Sequence, residues 1–265
     1  MNPGFTGKKT YLQKFNPRAY LETYYSDQEG ACDSENHLSR VLKQLHETFT
    51  TGAVKGDTLI EIGTGPTIHT LLSACEVFKE LIATDYCDQN RQQIEKWWKK
   101  EPGAFDWSPI VRYVCELEGH REKYFEKEEK LRQTLKQVLK CDVTKSNPLE
   151  PVVPPAADCL LTSLCLEAAC EDHRVYKAAL KNIVSLLKLG GHLVMMGVLE
   201  ETFYMVDHTK FSCLRYDIEF VRKAVNDSGC VIDDLQVIHS PENTTNLLSD
   251  YKGFFFLVAH KESNV

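Results

Sequence analysis

The stretch "TLIEIGTGPTIHTLL", Thr58 to Leu72, sets a carboxylate, Glu61, two residues before the first of two glycines, Gly63 and Gly65. Apolar runs flank them on both sides. Glycines at a strand-to-helix junction let the backbone approach a ligand closely. A dinucleotide site would need a third glycine three residues on, for tight helix–strand packing, and Ile68 stands there. A triphosphate loop would carry Lys-Ser/Thr after its glycines, whereas Pro66-Thr67 follows here. An acid closing the strand repels a pyrophosphate and suits a cation.

Acid-x-Gly-x-Gly at the first strand–helix turn is the pattern that seats S-adenosylmethionine (SAM), whose ammonium lies near a sulfonium. Asp85 ends the next strand, "LIATDY", about 20 residues past the glycines, where such folds set a carboxylate on ribose hydroxyls. Asn90 follows within reach of the same sugar. Asp142 ends "VLKCDV", where an acid can accept from the adenine amino group. Helix capping is the plainer use of an aspartate at position 85. Acids at three successive strand ends point instead to one shared ligand, so SAM is the expected cofactor and no metal is expected.

These residues need an open α/β sheet to bring them to one edge. Short apolar runs predict strands at Thr58–Ile62, Glu80–Thr84, Gln137–Cys141, Cys159–Leu164 and His192–Val198. Helical stretches alternate with them around Glu95–Lys99 and over Tyr176–Leu187, where Leu180, Ile183 and Leu187 share a face. That alternation implies a parallel sheet covered on both sides. "CVIDDLQVIH" and "GFFFLVAH" at the end have no helix between them and predict an antiparallel hairpin. The segment from Pro102 to Lys140 exceeds a simple crossover. It opens with Ser108 as cap and Pro109 at the first helical position, passes a β-prone "IVRYVC", and continues as a helix. There Leu131, Leu135 and Val138 share a face, and Glu126 and Lys130 make an i,i+4 pair. "NPLEPVVPP" reads as a loop. Residues 1–265 are expected to form a single domain, with 1–50 as lid and cap helices.

The bulk properties remove other classes. Net charge is −7 over 265 residues, with no long Lys/Arg block to track a phosphate backbone. No run of 18 apolar residues exists to span a membrane, and "MNPGFTGKKTYLQKF" lacks the apolar core of a signal peptide. Ten cysteines include no CxxC pair and lie partly in apolar segments, which suits inert thiols in a reducing compartment. A cytoplasmic protein is expected.

Longer motifs carry a resemblance. "IEIGTGPTIHTLLSACEVFKELIATDYCDQNRQQIEKWWKKEPGAFDW", "LKCDV", "LLKLGGHLV" and "GFTGKKTYLQKFNPRAYLETYY" are similar to the nicotinamide, indolethylamine and phenylethanolamine N-methyltransferases, over nearly the whole chain. The resemblance implies a class I SAM-dependent methyltransferase fold: a Rossmann-like, seven-stranded, mostly parallel sheet with an antiparallel last strand, helices on both faces and an N-terminal helical lid. It implies a monomer that methylates a small amine or N-heterocycle. Carried over, it puts cofactor contacts at Tyr20, Tyr25, Gly63, Thr64, Thr67, Asp85, Asn90, Asp142, Val143 and Ser163. Glu61, Gly65, Tyr86 and His69 complete the expected set, although relatives often carry Tyr at the position of His69.

The acceptor divides this family. Nicotinamide enzymes resemble this chain but carry Asp at the position of Gly197 and Ser at that of Cys213. "LCLEAAC" and "GVLEETFYM" resemble the phenylethanolamine enzyme, with Glu167 and Glu201 at its two pocket glutamates. Its further Asp aligns with Ser249, and Asp250 lies beside it. Tyr24, Leu164, Gly197, Tyr204, Cys213 and Asp250 are the expected acceptor contacts, with Glu201 and Glu167 catalytic. An aliphatic amine, by analogy with Lys, has a pKa of about 10, so freeing its lone pair costs roughly 4 kcal/mol at pH 7. A pyridine nitrogen needs no base. The glutamate pair therefore favours an arylalkylamine, with nicotinamide as the alternative. A nicotinamide-dinucleotide oxidoreductase is disfavoured by Ile68 and Glu61. DNA adenine methylation is disfavoured because "VVPPAAD" lacks an acid or amide before Pro-Pro and an aromatic after. A SAM-binding regulator without turnover is the remaining alternative.

Overall fold

The computed structural model describes residues 4–26, 36–52, 54–240 and 247–264. Seven strands form the main sheet: β1 (Gly56–Ile62), β2 (Phe78–Asp85), β3 (Leu135–Lys140), β4 (Ala157–Ser163), β5 (Leu187–Leu199), β8 (Cys230–His239) and β9 (Gly253–Lys261). Their order is β3-β2-β1-β4-β5-β9-β8. The first five pair in parallel, and β9 runs antiparallel to both β5 and β8. The order reverses between β1 and β4, and open sheets bind ligands outside the strand C-termini at such a crevice.

Side chains alternate between the two faces with a period of two residues. Leu59, Cys159, Leu161, Val194, Met196, Phe256 and Val258 face one core, under α3 (His37–Thr51), α4 (Asp88–Trp98) and α5 (Ser108–Leu117). Ile60, Ile62, Leu160, Leu193, Met195, Phe255 and Leu257 face the other, under α8 (His173–Val184) and α9 (Ile218–Asp227). Such a double-sided core explains why these strands read as continuous apolar runs.

Two short helices, α1 (Lys8–Lys14) and α2 (Pro17–Tyr25), lie over the C-terminal edge. Asn16 caps α2, accepting from the backbone N–H of Arg18 at 3.0 Å and Ala19 at 3.1 Å, and Pro17 opens it. A two-stranded ribbon, β6 (Phe203–Val206) with β7 (Thr209–Ser212), faces the lid. Phe15, Val206 and Phe211 form a small core between them, flanked by Tyr11, Tyr20 and Tyr204.

The long segment after Pro102 corrects four local expectations. "IVRYVC" is helical, within α5, because Ile110, Val111, Val114 and Cys115 make one buried stripe that outweighs β propensity. Ser108 is the first helical residue, and Asp106 Oδ1 takes its N–H at 3.0 Å. The next helix, α6 (Tyr124–Thr134), ends before Leu135, which starts β3, so Leu135 and Val138 are strand residues. Lys130 bonds Glu76 rather than Glu126. Likewise α8 ends at Val184, and Leu187 begins β5. The nine cysteines among the described residues are free thiols, and no described helix is long and apolar enough to cross a membrane.

Candidate active site

The crevice between β1 and β4 opens into a cavity of about 430 Å³, roofed by the lid helices. On its floor the β1 turn bends through two glycines with left-handed backbone, Gly63 at φ 72° and Gly65 at φ 64°. A Cβ on Gly63 would lie 2.2 Å from Cys165 Sγ, so no larger residue fits beside Cys165. A Cβ on Gly65 would meet nothing within 4 Å; its position lies in the wall of the cavity. Thr64, Thr67 and His69 line the same wall. His69 is buried in contact with Tyr25 and Trp107, and burial holds its imidazole neutral, with a pKa lowered to about 3.

Glu61 is buried, 1% exposed. Its Oε1 accepts from Thr70 Oγ1, while Oε2 has no partner among the described residues. Burial pushes its pKa up to about 8, despite the hydroxyls of Thr70 and Thr64. A buried, half-partnered carboxyl on a cavity wall fits the ammonium of SAM and would be costly without such a ligand.

Asp85, at the end of β2, accepts from Gly65 N at 2.8 Å through Oδ2, and from Cys87 N at 2.8 Å and Asn90 Nδ2 at 3.0 Å through Oδ1. It therefore braces the glycine turn from below while lining the cavity. Asn90, expected to reach the sugar, is fully buried outside the cavity wall and holds Asp85 instead. Asp142 lies just past β3, and Lys8 from α1 caps both its oxygens at 2.7 and 2.6 Å. Thr144 Oγ1 bonds the same carboxylate at 2.7 Å. Hydrogen bonds from Lys8 and Thr144 keep the Asp142 pKa below the usual range against the opposing effect of burial. Tyr86, Val143 and Ser163 complete this end of the wall. The position of Lys8 was not foreseen; the only signal was its place in the N-terminal motif.

The other end of the cavity carries the acids. Glu167, in α7 (Leu166–Ala169), and Glu201, after β5, are 3% and 7% exposed, and both line the wall. Burial raises both carboxyls, Glu167 to about 8. The nearby charge of Glu201 adds to the rise at Glu167, whereas Cys213 and Ser249 offset part of it at Glu201. Ser249 Oγ donates to Glu201 Oε1. Glu167 Oε1 has no partner among the described residues.

Of the expected acceptor contacts, Tyr24, Leu164, Tyr204 and Cys213 line this end. Tyr24 donates to Met205 O at 2.7 Å, tying α2 to β6, and Tyr20 and Tyr25 flank it on the lid. Leu164 adopts φ 51°, a strained backbone for a branched side chain. Two expectations are corrected. Asp250 lies outside the wall and pins the preceding loop, accepting from Thr202 N at 2.8 Å, Phe203 N at 3.2 Å and Thr202 Oγ1 at 2.6 Å. Ser249, where the resemblance put a lost carboxylate, is the residue that touches Glu201. Gly197 also lies outside the wall, on the opposite face of β5, because alternation turns that position towards Phe255 and Tyr216. Tyr11, Phe15 and His37 line the cavity without having been singled out.

Residues 3–262 match the family model described as the NNMT/PNMT/TEMT family. The chain belongs to that family. It is 54% identical to the nicotinamide N-methyltransferase of Homo sapiens over 263 residues, 99% of both chains. It is 49% identical to the indolethylamine N-methyltransferase of Oryctolagus cuniculus over 262 residues, again 99% of both. The phenylethanolamine N-methyltransferase of Sus scrofa is 39% identical over 267 residues, 100% of this chain and 94% of that one. Among solved structures, the N-methyltransferase NodS of Bradyrhizobium japonicum with S-adenosyl-L-homocysteine (SAH) superposes with a TM-score of 0.52. It is 13% identical and covers 94% of this chain and all of the other. The magnesium protoporphyrin IX methyltransferase of Synechocystis, with bound SAM, gives a TM-score of 0.56 at 10% identity, covering 95% and 93%. The architecture of this NNMT/PNMT/TEMT member is thus the class I SAM-dependent methyltransferase fold.

Proposed function

We propose that the protein methylates the amine nitrogen of an arylalkylamine, of indolethylamine or phenylethanolamine type. Family membership makes it a SAM-dependent N-methyltransferase of small amines. One observation carries the choice of acceptor: two buried glutamates, Glu167 and Glu201, share one wall of the cavity that the glycine turn opens into.

SAM supplies an electrophilic methyl on a sulfonium, and the cofactor end of the cavity suits it. Glu61 would hold the ammonium, Asp85 the ribose hydroxyls, and Asp142 with Val143 the adenine. At the acceptor end an ammonium restores the charge that burial disfavours on Glu167 and Glu201. With carboxyls raised towards neutrality, one glutamate takes a proton from R–NH3+, giving R–NH2 and Glu–COOH. The freed lone pair can then form the N–C bond as the S–C bond breaks, leaving a secondary ammonium and a thioether. A carboxyl with a pKa near the working pH is an effective base for that transfer. The lid excludes water, and Tyr20, Tyr24, Tyr25 and Tyr204 offer rings to an aromatic acceptor. Orientation of nitrogen and methyl supplies much of the remaining rate.

The second reading, methylation of nicotinamide and related pyridines, is favoured by the 54% identity to the human nicotinamide enzyme. Against it stand Gly197 and Cys213, where the resemblance implies Asp and Ser in nicotinamide enzymes. A methyl-acceptor screen across tryptamine, phenylethanolamine, nicotinamide and thioethers tests the choice. The higher kcat/KM is expected on the two amines. Turnover confined to nicotinamide would reverse the order of the two readings.

A further inference from the structure

Behind Glu167, outside the cavity, lies a buried polar cluster that the reaction does not use. Tyr216 is 3% exposed and gripped by three rings: Tyr176 of α8 at 5.4 Å and 62°, Phe220 of α9 at 5.9 Å and 32°, and Phe255 of β9 at 6.5 Å and 63°. That grip aims its hydroxyl at Gly197 of β5. A Cβ on Gly197 would stand 2.7 Å from the Tyr216 hydroxyl, 2.7 Å from Phe255 Cε1 and 2.9 Å from Phe255 Cζ. Real side chains essentially never approach so closely, so Tyr216 in this pose requires glycine at 197.

The same hydroxyl lies beside the Glu167 carboxyl. Glu167 Oε1, Tyr216 Oη and Tyr176 Oη are all buried, and none has a hydrogen-bond partner among the described residues. Buried polar atoms are nearly always paired in folded proteins. The Tyr216 hydroxyl nonetheless favours the charged form of Glu167, and Tyr176 interacts with Tyr216 in turn, so the three groups form one polar cluster that engages further when a ligand charges the carboxyl. The titratable groups facing Tyr216 are Glu167 of α7, Tyr176 of α8, and Glu201 and Cys213, which sit together at the open end of the β6–β7 ribbon. Cys165 and Cys170, flanking α7, face Tyr176.

We propose that Tyr216 is a specificity-determining positioning residue, filling the space that a side chain at 197 would need and supporting the Glu167 carboxylate against a cationic acceptor. Gly197 and Tyr216 thus work as a pair. The polar support of the pocket acid comes from a phenol behind Glu167, outside the cavity, in the space that Gly197 leaves open. This rests on the arylalkylamine reading.

Tyr216→Phe keeps the ring packing and removes only the hydroxyl. With phenylethanolamine or tryptamine, kcat/KM is expected to fall about tenfold near neutral pH, mostly through KM. The acidic limb of the kcat/KM profile should move up by about one pH unit, while SAH affinity stays unchanged as the control on folding. A second measurement reads the pair directly: thermal stability of Gly197→Ala in the wild-type and Tyr216→Phe backgrounds. The Phe255 contact is common to both, so the loss of Tm should be smaller by several degrees where the hydroxyl is gone. An unmoved pH limb and KM, or strictly additive Tm losses, would overturn the role of Tyr216. Failure of the underlying reading would show separately, as a wild-type enzyme that turns over nicotinamide and no arylalkylamine.

Discussion

Glu61→Gln offers the sharpest test of the cofactor end. The Glu61 pKa of about 8 makes the carboxyl roughly 97% protonated at pH 6.5 in the free protein. If its unpartnered Oε2 receives the cofactor ammonium, binding must ionise it and release about one proton per site. Ionising it at pH 6.5 costs roughly 2 kcal/mol, 1.5 pH units below its pKa. A hydrogen bond between charged groups returns about 1.5–3 kcal/mol. The two nearly cancel, so affinity at this pH is a weak readout and the proton count is the decisive one. Calorimetric titration with SAH in two buffers of contrasting ionisation enthalpy measures that count. Wild type should release close to one proton more than Glu61→Gln, whose amide cannot ionise. The α-amino group of SAH is almost wholly protonated at pH 6.5 in both titrations. Equal proton counts for wild type and variant would refute the pairing of Glu61 with the ammonium.

Other outcomes follow from the same geometry. Glu201→Gln should lower kcat on an arylalkylamine by at least ~10²-fold, the range for a lost general base, with a much smaller loss on nicotinamide in the same steady-state assay. Asp250→Ala should raise acceptor KM roughly tenfold by freeing the Thr202–Phe203 backbone that it holds, while SAH affinity measured by calorimetry stays the same. Apoprotein stability should fall between pH 6.5 and 8. Glu61 and Glu167 have folded pKa values raised from 4.5 to about 8, so the folded state binds more protons than the unfolded chain across that interval. Below pH 6.5 the half-buried His37 and the buried His69, lowered by desolvation to about 4 and 3, act in the opposite sense and offset the glutamates. The two glutamates set an upper bound of about 4 kcal/mol on the loss from pH 6.5 to 8. Denaturant midpoints at pH 6.5, 7.3 and 8 read it, and saturating SAH should reduce the slope.

Much of the cofactor end was legible because local chemistry there is written in contiguous residues. Glu61, Gly63 and Gly65 lie within one turn, and Asp85 and Asp142 end strands whose apolar runs are unmistakable. The seven strands were all anticipated, although β5 begins at Leu187, well before the expected His192, and the central strands, buried on both faces, leave the least ambiguity. The segment after Pro102 was misread where propensity and burial disagree. "IVRYVC" favours a strand intrinsically, yet its stripe at i, i+1, i+4 and i+5 is buried as a helix face, packed against α3 and α6. The acceptor end was legible only as residue types. Asp250 and Ser249 are neighbours in sequence, and nothing local says which of them turns towards Glu201.

The sequence by itself determined the fold class, the glycine turn that follows a buried acid, and the presence of two glutamates that could serve an acceptor. Tertiary structure decided which groups act from where. Lys8 meets Asp142 across 134 positions of chain, and Asn90 supports Asp85 instead of facing the cavity. Gly197, read as an acceptor contact, turned out to be the vacancy that admits Tyr216. The physical reason is that a period-two strand assigns each residue a face, whereas what waits on that face comes from elements far away in the chain.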